Sequence, residues 1–214
     1  MHRGKSDTAS LRTEAALLLV DVQVDFCPGG ALPVPAGDRV IPVLNRAIGT
    51  FCSHRRPVYA SRDWHPVDSE HFRTFGGRWP VHCVAGSPGA AFHPDLQLPA
   101  DTITISKGLS RTDDGYSAFE GMNDQGQSLI HDLRQRQINC LYVGGLAADY
   151  CVRASVMDAR KAGLDVIVLA DGVAGISVDA TRRAFEDMRA AGATLAQTDE
   201  LYMPAELRKQ PSVP

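Results

Sequence analysis

The chain has 214 residues, 44% of them hydrophobic, and a formal net charge of −3. That is enough to bury the core of one ordinary domain, and it leaves no basic surplus for a nucleic-acid partner. No apolar run approaches the roughly 20 residues a membrane helix needs, and residues 1–14 lack the apolar stretch of a signal peptide. The five cysteines are odd in number and scattered, with no CxxC pair. They predict no disulfide framework and a reducing, cytoplasmic setting. With no internal repeat or linker, one domain over 1–214 is expected, with a core over about 15–197. Residues 1–14 read as a loose polar tail and the Pro-rich end after Met203 as another.

In chain order, Ala15–Val20 is a short continuous apolar run, as a central parallel strand requires, and Asp21 ends it. Cys27-Pro-Gly-Gly30 forces a loop. From Asp38 to Arg56, Val40, Val43, Leu44, Ala47, Ile48 and Phe51 recur at helical spacing, and Pro42 is tolerable near the helix start. Pro57–Ser61 predicts a second strand, ending at Arg62-Asp63-Trp64-His65. Residues 66–100 are irregular and rich in Gly, Pro, His and aromatics; a segment this long inside a domain is usually functional. Thr102–Ser106 predicts a third strand, ending at Lys107. A polar loop follows from Arg111 to Gly121, and Leu129, Ile130 and Leu133 mark a helix.

The most informative stretch is Asn139–Asp158. Leu141, Tyr142 and Val143 are β-prone, two glycines follow, and Val152, Ser155, Val156 and Ala159 then recur at helical spacing. That reads as strand, tight turn and helix, with Asp149 as N-cap and Cys151 in the first turn. A thiol there feels the positive helix end, which favours the thiolate, and the free backbone N–H groups can receive an oxyanion. The plainer reading of Cys151 is a small buried helix residue. Leu164–Ala170 predicts a fifth strand. Val178–Gly192 predicts an amphipathic helix with Ala180, Ala184, Met188 and Ala191 on one face, and Ala193–Gln197 a sixth strand. Strands alternating with helices predict a three-layer αβα fold around a six-stranded, mainly parallel sheet.

In such sheets ligands bind outside the carboxyl ends of the strands. Asp21, Asp63 with His65, Lys107 and Cys151 all fall at such ends, on four successive strands. Asp21, Lys107 and Cys151 suit acyl transfer. The carboxylate accepts the thiol proton and passes it to a leaving amine, the ammonium steadies the anion, and water cleaves the thioester. The plainer reading of Asp21 and Lys107 is an ion pair at a sheet edge. Asp63-x-His65 places two ligands on one side of an extended strand end, and His71 and His82 from the long loop complete a shell. One carboxylate with imidazoles suits zinc, iron or manganese; His71 is also readable as a solvent-facing loop residue. His2, His54, His93 and His131 have no such company.

Five motifs carry a family likeness: Leu19-Val-Asp-Val-Gln-Val-Asp-Phe-Cys27, Arg62-Asp-Trp-His-Pro66, Trp79-Pro-Val-His-Cys-Val84, Ser106-Lys-Gly108 and Gly145-Leu-Ala-Ala-Asp-Tyr-Cys-Val152. In this order, over about Ala15 to Gln197, they resemble the nicotinamidase branch of the isochorismatase-like hydrolases. The resemblance implies hydrolysis of nicotinamide to nicotinate and ammonia in NAD salvage, with pyrazinamide also accepted. It implies a catalytic triad of Cys151, Asp21 and Lys107 and one divalent metal on Asp63, His65 and His82, with His71 as a further ligand in some members. It also implies a cis peptide between Leu146 and Ala147, and an oxyanion hole made by the N–H groups of Ala147 and Cys151. The pocket would be formed by Phe26, Leu32, Trp79, Tyr116, Leu146 and Tyr150, with aromatic walls for a flat pyridine ring.

Four alternatives make distinct demands. The isochorismatase branch lacks the cysteine, and carbamoyl-amide hydrolases generally lack the metal set. A 2-His-1-carboxylate iron oxygenase needs neither Lys107 nor Cys151. A ligand-binding protein on a retired hydrolase fold would not need an intact triad. No nucleic-acid or membrane partner is expected, and the sheet-covering helices leave homo-oligomer formation open.

Overall fold

The computed structural model describes residues 11–202. His2, most of the expected N-terminal tail and the Pro-rich end lie outside the described residues. Six strands form one sheet, every pairing parallel: β1 (Ala15–Val20), β2 (Val58–Asp63), β3 (Ile103–Lys107), β4 (Cys140–Leu146), β5 (Asp165–Ala174) and β6 (Thr194–Ala196). Their spatial order is β3-β2-β1-β4-β5-β6, so the expected mainly parallel sheet is wholly parallel. Helix α1 (Val40–Ser53) covers one face, and α2 (Leu129–Gln135), α3 (Arg153–Lys161) and α4 (Val178–Ala190) cover the other.

Strand β1 shows why the chain folds this way. Leu17 and Leu19 point into the core shared with α1, while Ala16, Leu18 and Val20 point into the core shared with α2, α3 and α4. A strand covered on both faces must be apolar at every position, which is what Ala-Ala-Leu-Leu-Leu-Val supplies. Each of the fully buried leucines contributes roughly 1.5–3 kcal/mol.

Several boundaries differ from expectation for physical reasons. Leu11 is buried in the core, Arg12 pairs with Asp165 at 2.6 Å, and the Glu14 carbonyl accepts the N–H groups of Asn139 and Cys140. The polar tail reading therefore fails from residue 11 onward. Strand β2 runs to Asp63 because it stays paired with β3 as far as Lys107. Strand β5 continues to Ala174 past an irregularity between Val143 and Gly145 that a period count does not reveal. The crossover from β2 to β3 contains no α-helix. Its Cys83, Ala90, Phe92, Leu96 and Leu98 pack beside α1 and fill the layer a second helix would occupy. Among the described residues no helix is long and apolar enough to cross a membrane.

Candidate active site

The strand order reverses between β1 and β4, and a crevice opens outside their carboxyl ends. Asp21 leaves β1 with φ 50, a strained value for a side-chain-bearing residue. Gly145 in β4 has φ 128, and a Cβ there would collide with the Val20 backbone, so only glycine lets the two strand ends close up. Leu146–Ala147 is a cis peptide. The chain then enters a wide π-type turn over Ala148–Val152, in which the Val152 N–H bonds to the Ala147 carbonyl and the Arg153 N–H to that of Ala148.

This turn corrects the expected N-cap. Ala147 occupies that position, and Asp149 lies inside the turn, its Oδ1 accepting the Ile176 N–H at 3.1 Å. Cys151 stays in the opening turn, but its thiol does not have the expected lowered pKa. Burial raises it well above the ordinary value; Lys107 pulls it down, while Asp21 and Asp63 push it further up. Removal from water and two neighbouring carboxylates outweigh the pull of Lys107 and favour the neutral thiol.

Lys107 ends β3 and is fully buried. Its Nζ lies 2.7 Å from Asp21 Oδ2, donates to Asp63 Oδ1 and to the Gly115 carbonyl at 2.6 Å, and reaches Cys151 Sγ at 3.6 Å. Burial alone would favour the free amine, but Asp21 and Asp63 overcome it and hold the group as ammonium. Burial raises the pKa of the Asp21 carboxyl despite the pull of Lys107, and Asp63 adds to the rise, which makes Asp21 the more basic of the two carboxylates. For Asp63 burial also acts upward, but Lys107 and His65 win and hold it ionised.

The second constellation gathers beside the first. His65 pairs in register with Val84: its N–H bonds to the Cys83 carbonyl, and its own carbonyl accepts from Ala85. That pairing places His82 next to it. His71 sits at the start of a loop that the Trp79 N–H closes by bonding to the His71 carbonyl. The three histidines each offer a ring nitrogen, and these nitrogens lie within 4.8 Å of one another. Asp63 Oδ2 is 3.6 Å from His65 Nε2 and 3.8 Å from His82 Nε2. His71 is buried, not solvent-facing. His54, His93 and His131 do not belong to this group.

Both ring nitrogens of the fully buried His65 lack a hydrogen-bond partner, a costly arrangement unless a cation takes a lone pair. His82 Nδ1 lies 2.8 Å from the Pro80 carbonyl, which leaves Nε2 free as an acceptor, and burial pushes its pKa down to about 4, so the ring is neutral. Buried neutral imidazoles with an adjacent carboxylate are the donor set of a divalent transition-metal ion.

Between the two constellations lies a cavity of about 170 Å³. Phe26, Leu32, Trp79, Tyr116 and Tyr150 line it as expected, together with Asp63, His71, His82, Ala147 and Cys151. Leu146 does not; its side chain is fully buried in the core on the α1 side, so its expected place on the wall is not observed. Trp79 Nε1 donates to the Tyr116 hydroxyl at 2.9 Å, and Trp79 meets Tyr150 edge-on at 5.0 Å, which stiffens the aromatic wall.

Several contributors escaped the sequence. Ser61 donates to Asp21 Oδ1 at 2.7 Å. The buried Gln23 accepts the Asp63 N–H at 2.8 Å and donates to the Asp63 and Ala90 carbonyls at 2.9 Å each, its carboxamide standing where the next peptide of β1 would. Asp114 lies 3.0 Å from His71 Nδ1. Ile176, Pro33 and Val34 complete the wall. Gln23 lies in the Leu19–Cys27 motif just past the apolar run of β1, and that position was the available signal; the others follow from tertiary placement alone.

The chain is 42% identical to a nicotinamidase of Escherichia coli over 198 residues, covering 84% of this chain and 93% of that one. A pyrazinamidase of Pyrococcus horikoshii solved in complex with zinc superposes with a TM-score of 0.81 at 44% identity, covering 86% and 99% of the two chains. A protein of L. infantum solved with nicotinate superposes with a TM-score of 0.81 at 35% identity, covering 89% and 96%. The isochorismatase domain model matches residues 15–200. On this match and these relatives, the chain belongs to the isochorismatase-domain family.

Proposed function

We propose that this chain is a metal-dependent nicotinamidase, hydrolysing nicotinamide to nicotinate and ammonia and accepting pyrazinamide as well. The observation that carries the reading is one ammonium, Lys107, held between Asp21 at 2.7 Å and the Cys151 sulfur at 3.6 Å beside a cavity flanked by Asp63 and histidines. The nicotinamidase, zinc-bound pyrazinamidase and nicotinate-bound relatives support the same substrate class.

In this reading Cys151 Sγ attacks the carboxamide carbon as Asp21 takes the thiol proton. A neutral thiol beside a carboxyl of raised pKa suits concerted transfer better than a standing thiolate. The backbone N–H groups of Ala147 and Cys151 receive the developing oxyanion. Asp21 returns the proton to the amide nitrogen, ammonia leaves, and the acyl group remains on sulfur as a thioester. Water, losing a proton to Asp21, cleaves that thioester to nicotinate and restores the thiol. Lys107 stays charged throughout and keeps two buried carboxylates from repelling each other.

Asp63, His65, His71 and His82 would hold one divalent ion, zinc by the preference of imidazole-rich sets. When bound, that ion supplies a Lewis acid for the ring nitrogen and so aims the carboxamide at the sulfur. Phe26, Trp79 and Tyr150 give a flat heteroaromatic ring apolar faces. The product of this proposed reaction, nicotinate, is a pyridine carboxylate suited to pyridine-nucleotide salvage. The carbamoyl-amide alternative is disfavoured by three buried histidines that an acyclic amide would not use.

The test is ammonia release from nicotinamide, with and without a chelator, by the parent and by Cys151→Ala. Turnover by the parent, lost in the variant and suppressed by chelation, is expected. Full turnover by Cys151→Ala would remove the nucleophile assignment, and indifference to chelation would remove the metal.

A further inference from the structure

The geometry points to Asp114 as a positioning residue that holds His71 in the tautomer able to bind metal, an inference that rests on the reading of the three histidines as ligands. The histidines are supported differently. His82 Nδ1 faces the Pro80 carbonyl at 2.8 Å, so backbone fixes that ring. His65 has no hydrogen-bond partner on either nitrogen. His71 Nδ1 faces Asp114 Oδ1 at 3.0 Å. An ionised carboxylate only accepts, so Nδ1 carries the hydrogen and Nε2 keeps the lone pair. A carboxylate behind a ligating imidazole also strengthens it as a donor.

The pair straddles the cavity mouth, with the His71 side chain 5% exposed and that of Asp114 69% exposed. The residues after Asp114 are held by other bonds: the Gly115 carbonyl accepts from Lys107, the Tyr116 hydroxyl accepts from Trp79, and the Ala118 N–H bonds to Ser155. Removing the Asp114 side chain therefore frees His71 without releasing the segment that carries it. His71 becomes the one ligand whose orientation depends on a solvent-exposed side chain.

The test compares the parent with Asp114→Ala and Asp114→Asn, each prepared metal-free and titrated with zinc alone against a chromophoric chelator. Asp114→Ala should bind zinc about 10–100-fold more weakly, the usual effect of losing such a partner. Asp114→Asn should recover most of that loss, because its amide oxygen accepts the same hydrogen bond. The metal-free proteins should melt together, and the visible spectrum of the cobalt-substituted Asp114→Ala protein should differ from the parent's. Equal zinc affinity in parent and Asp114→Ala would overturn the assignment while leaving the nicotinamidase reading intact. A parent that hydrolyses nicotinamide without taking up zinc would overturn the ligand reading and this assignment with it.

Discussion

Replacing Gln23 with leucine should destabilise the chain and loosen Asp63 without touching the reacting groups. The side chain is fully buried and makes three hydrogen bonds, two to the backbone of Asp63 and one to the Ala90 carbonyl. Leucine fills nearly the same volume but pairs with none of these groups. Each orphaned buried group costs about 1–3 kcal/mol, and carbonyls tolerate the loss somewhat better than N–H groups. Three such groups give a loss of about 3–6 kcal/mol, against a typical total of about 5–15 kcal/mol. In a chain of this size that corresponds to a melting temperature lower by at least about 6 °C. Asp63 also loses its anchor, so zinc affinity should fall in parallel. The assay is urea unfolding of the metal-free protein, followed by zinc titration of whatever remains folded. A stability within about 1 kcal/mol of the parent, with unchanged zinc affinity, would refute the argument that Gln23 completes the sheet at this point.

Three further outcomes follow from the electrostatics. Cys151 should react slowly with iodoacetamide at neutral pH, because burial first and the neighbouring carboxylates second keep it protonated; a rate that is already maximal at pH 7 would contradict this. Lys107→Met should abolish turnover and cost about 3–5 kcal/mol, since Asp21 and Asp63 are then left buried without their shared cation; a variant as stable as the parent would show that the pair is not held by this amine. Tyr59, buried and donating to Asp132 Oδ2 at 2.5 Å, has its pKa raised first by burial and then by that bond. Its contribution is therefore complete below the unfolded value of about 10 and is lost as pH rises past it. The stability gap between the parent and Tyr59→Phe should shrink between pH 9 and pH 11, and a constant gap would count against the bond.

The sheet was legible because apolar runs such as Ala15–Val20 have no alternative to burial on both faces, and residues at their ends must meet along one rim. Asp21, Lys107 and Cys151 were findable for that reason. The state of the thiol was not: a helix start argues for the thiolate, and only burial together with the placement of two carboxylates reverses the sign. The N-cap at Asp149 failed because a wide turn beginning at Ala148 leaves no mark in side-chain periodicity. Leu11 was read as tail because one apolar residue in a polar stretch carries no period. Asp114 and Ser61 were silent because each acts across long sequence separations, 43 residues to His71 and 40 to Asp21.

The crossover that lacks a helix has a consequence for how this chain divides its labour. His65, His71 and His82 all come from that one excursion, whereas Asp21, Lys107 and Cys151 hang from three strand ends. The imidazoles and the thiol cluster thus come from different stretches of chain, and Asp63 touches both Lys107 and the imidazoles. Exchanging the excursion for an ordinary helical connection would remove all three imidazoles at once and leave Asp21, Lys107 and Cys151 on their strand ends, so under the proposed function amide cleavage would lose its metal and keep its thiol.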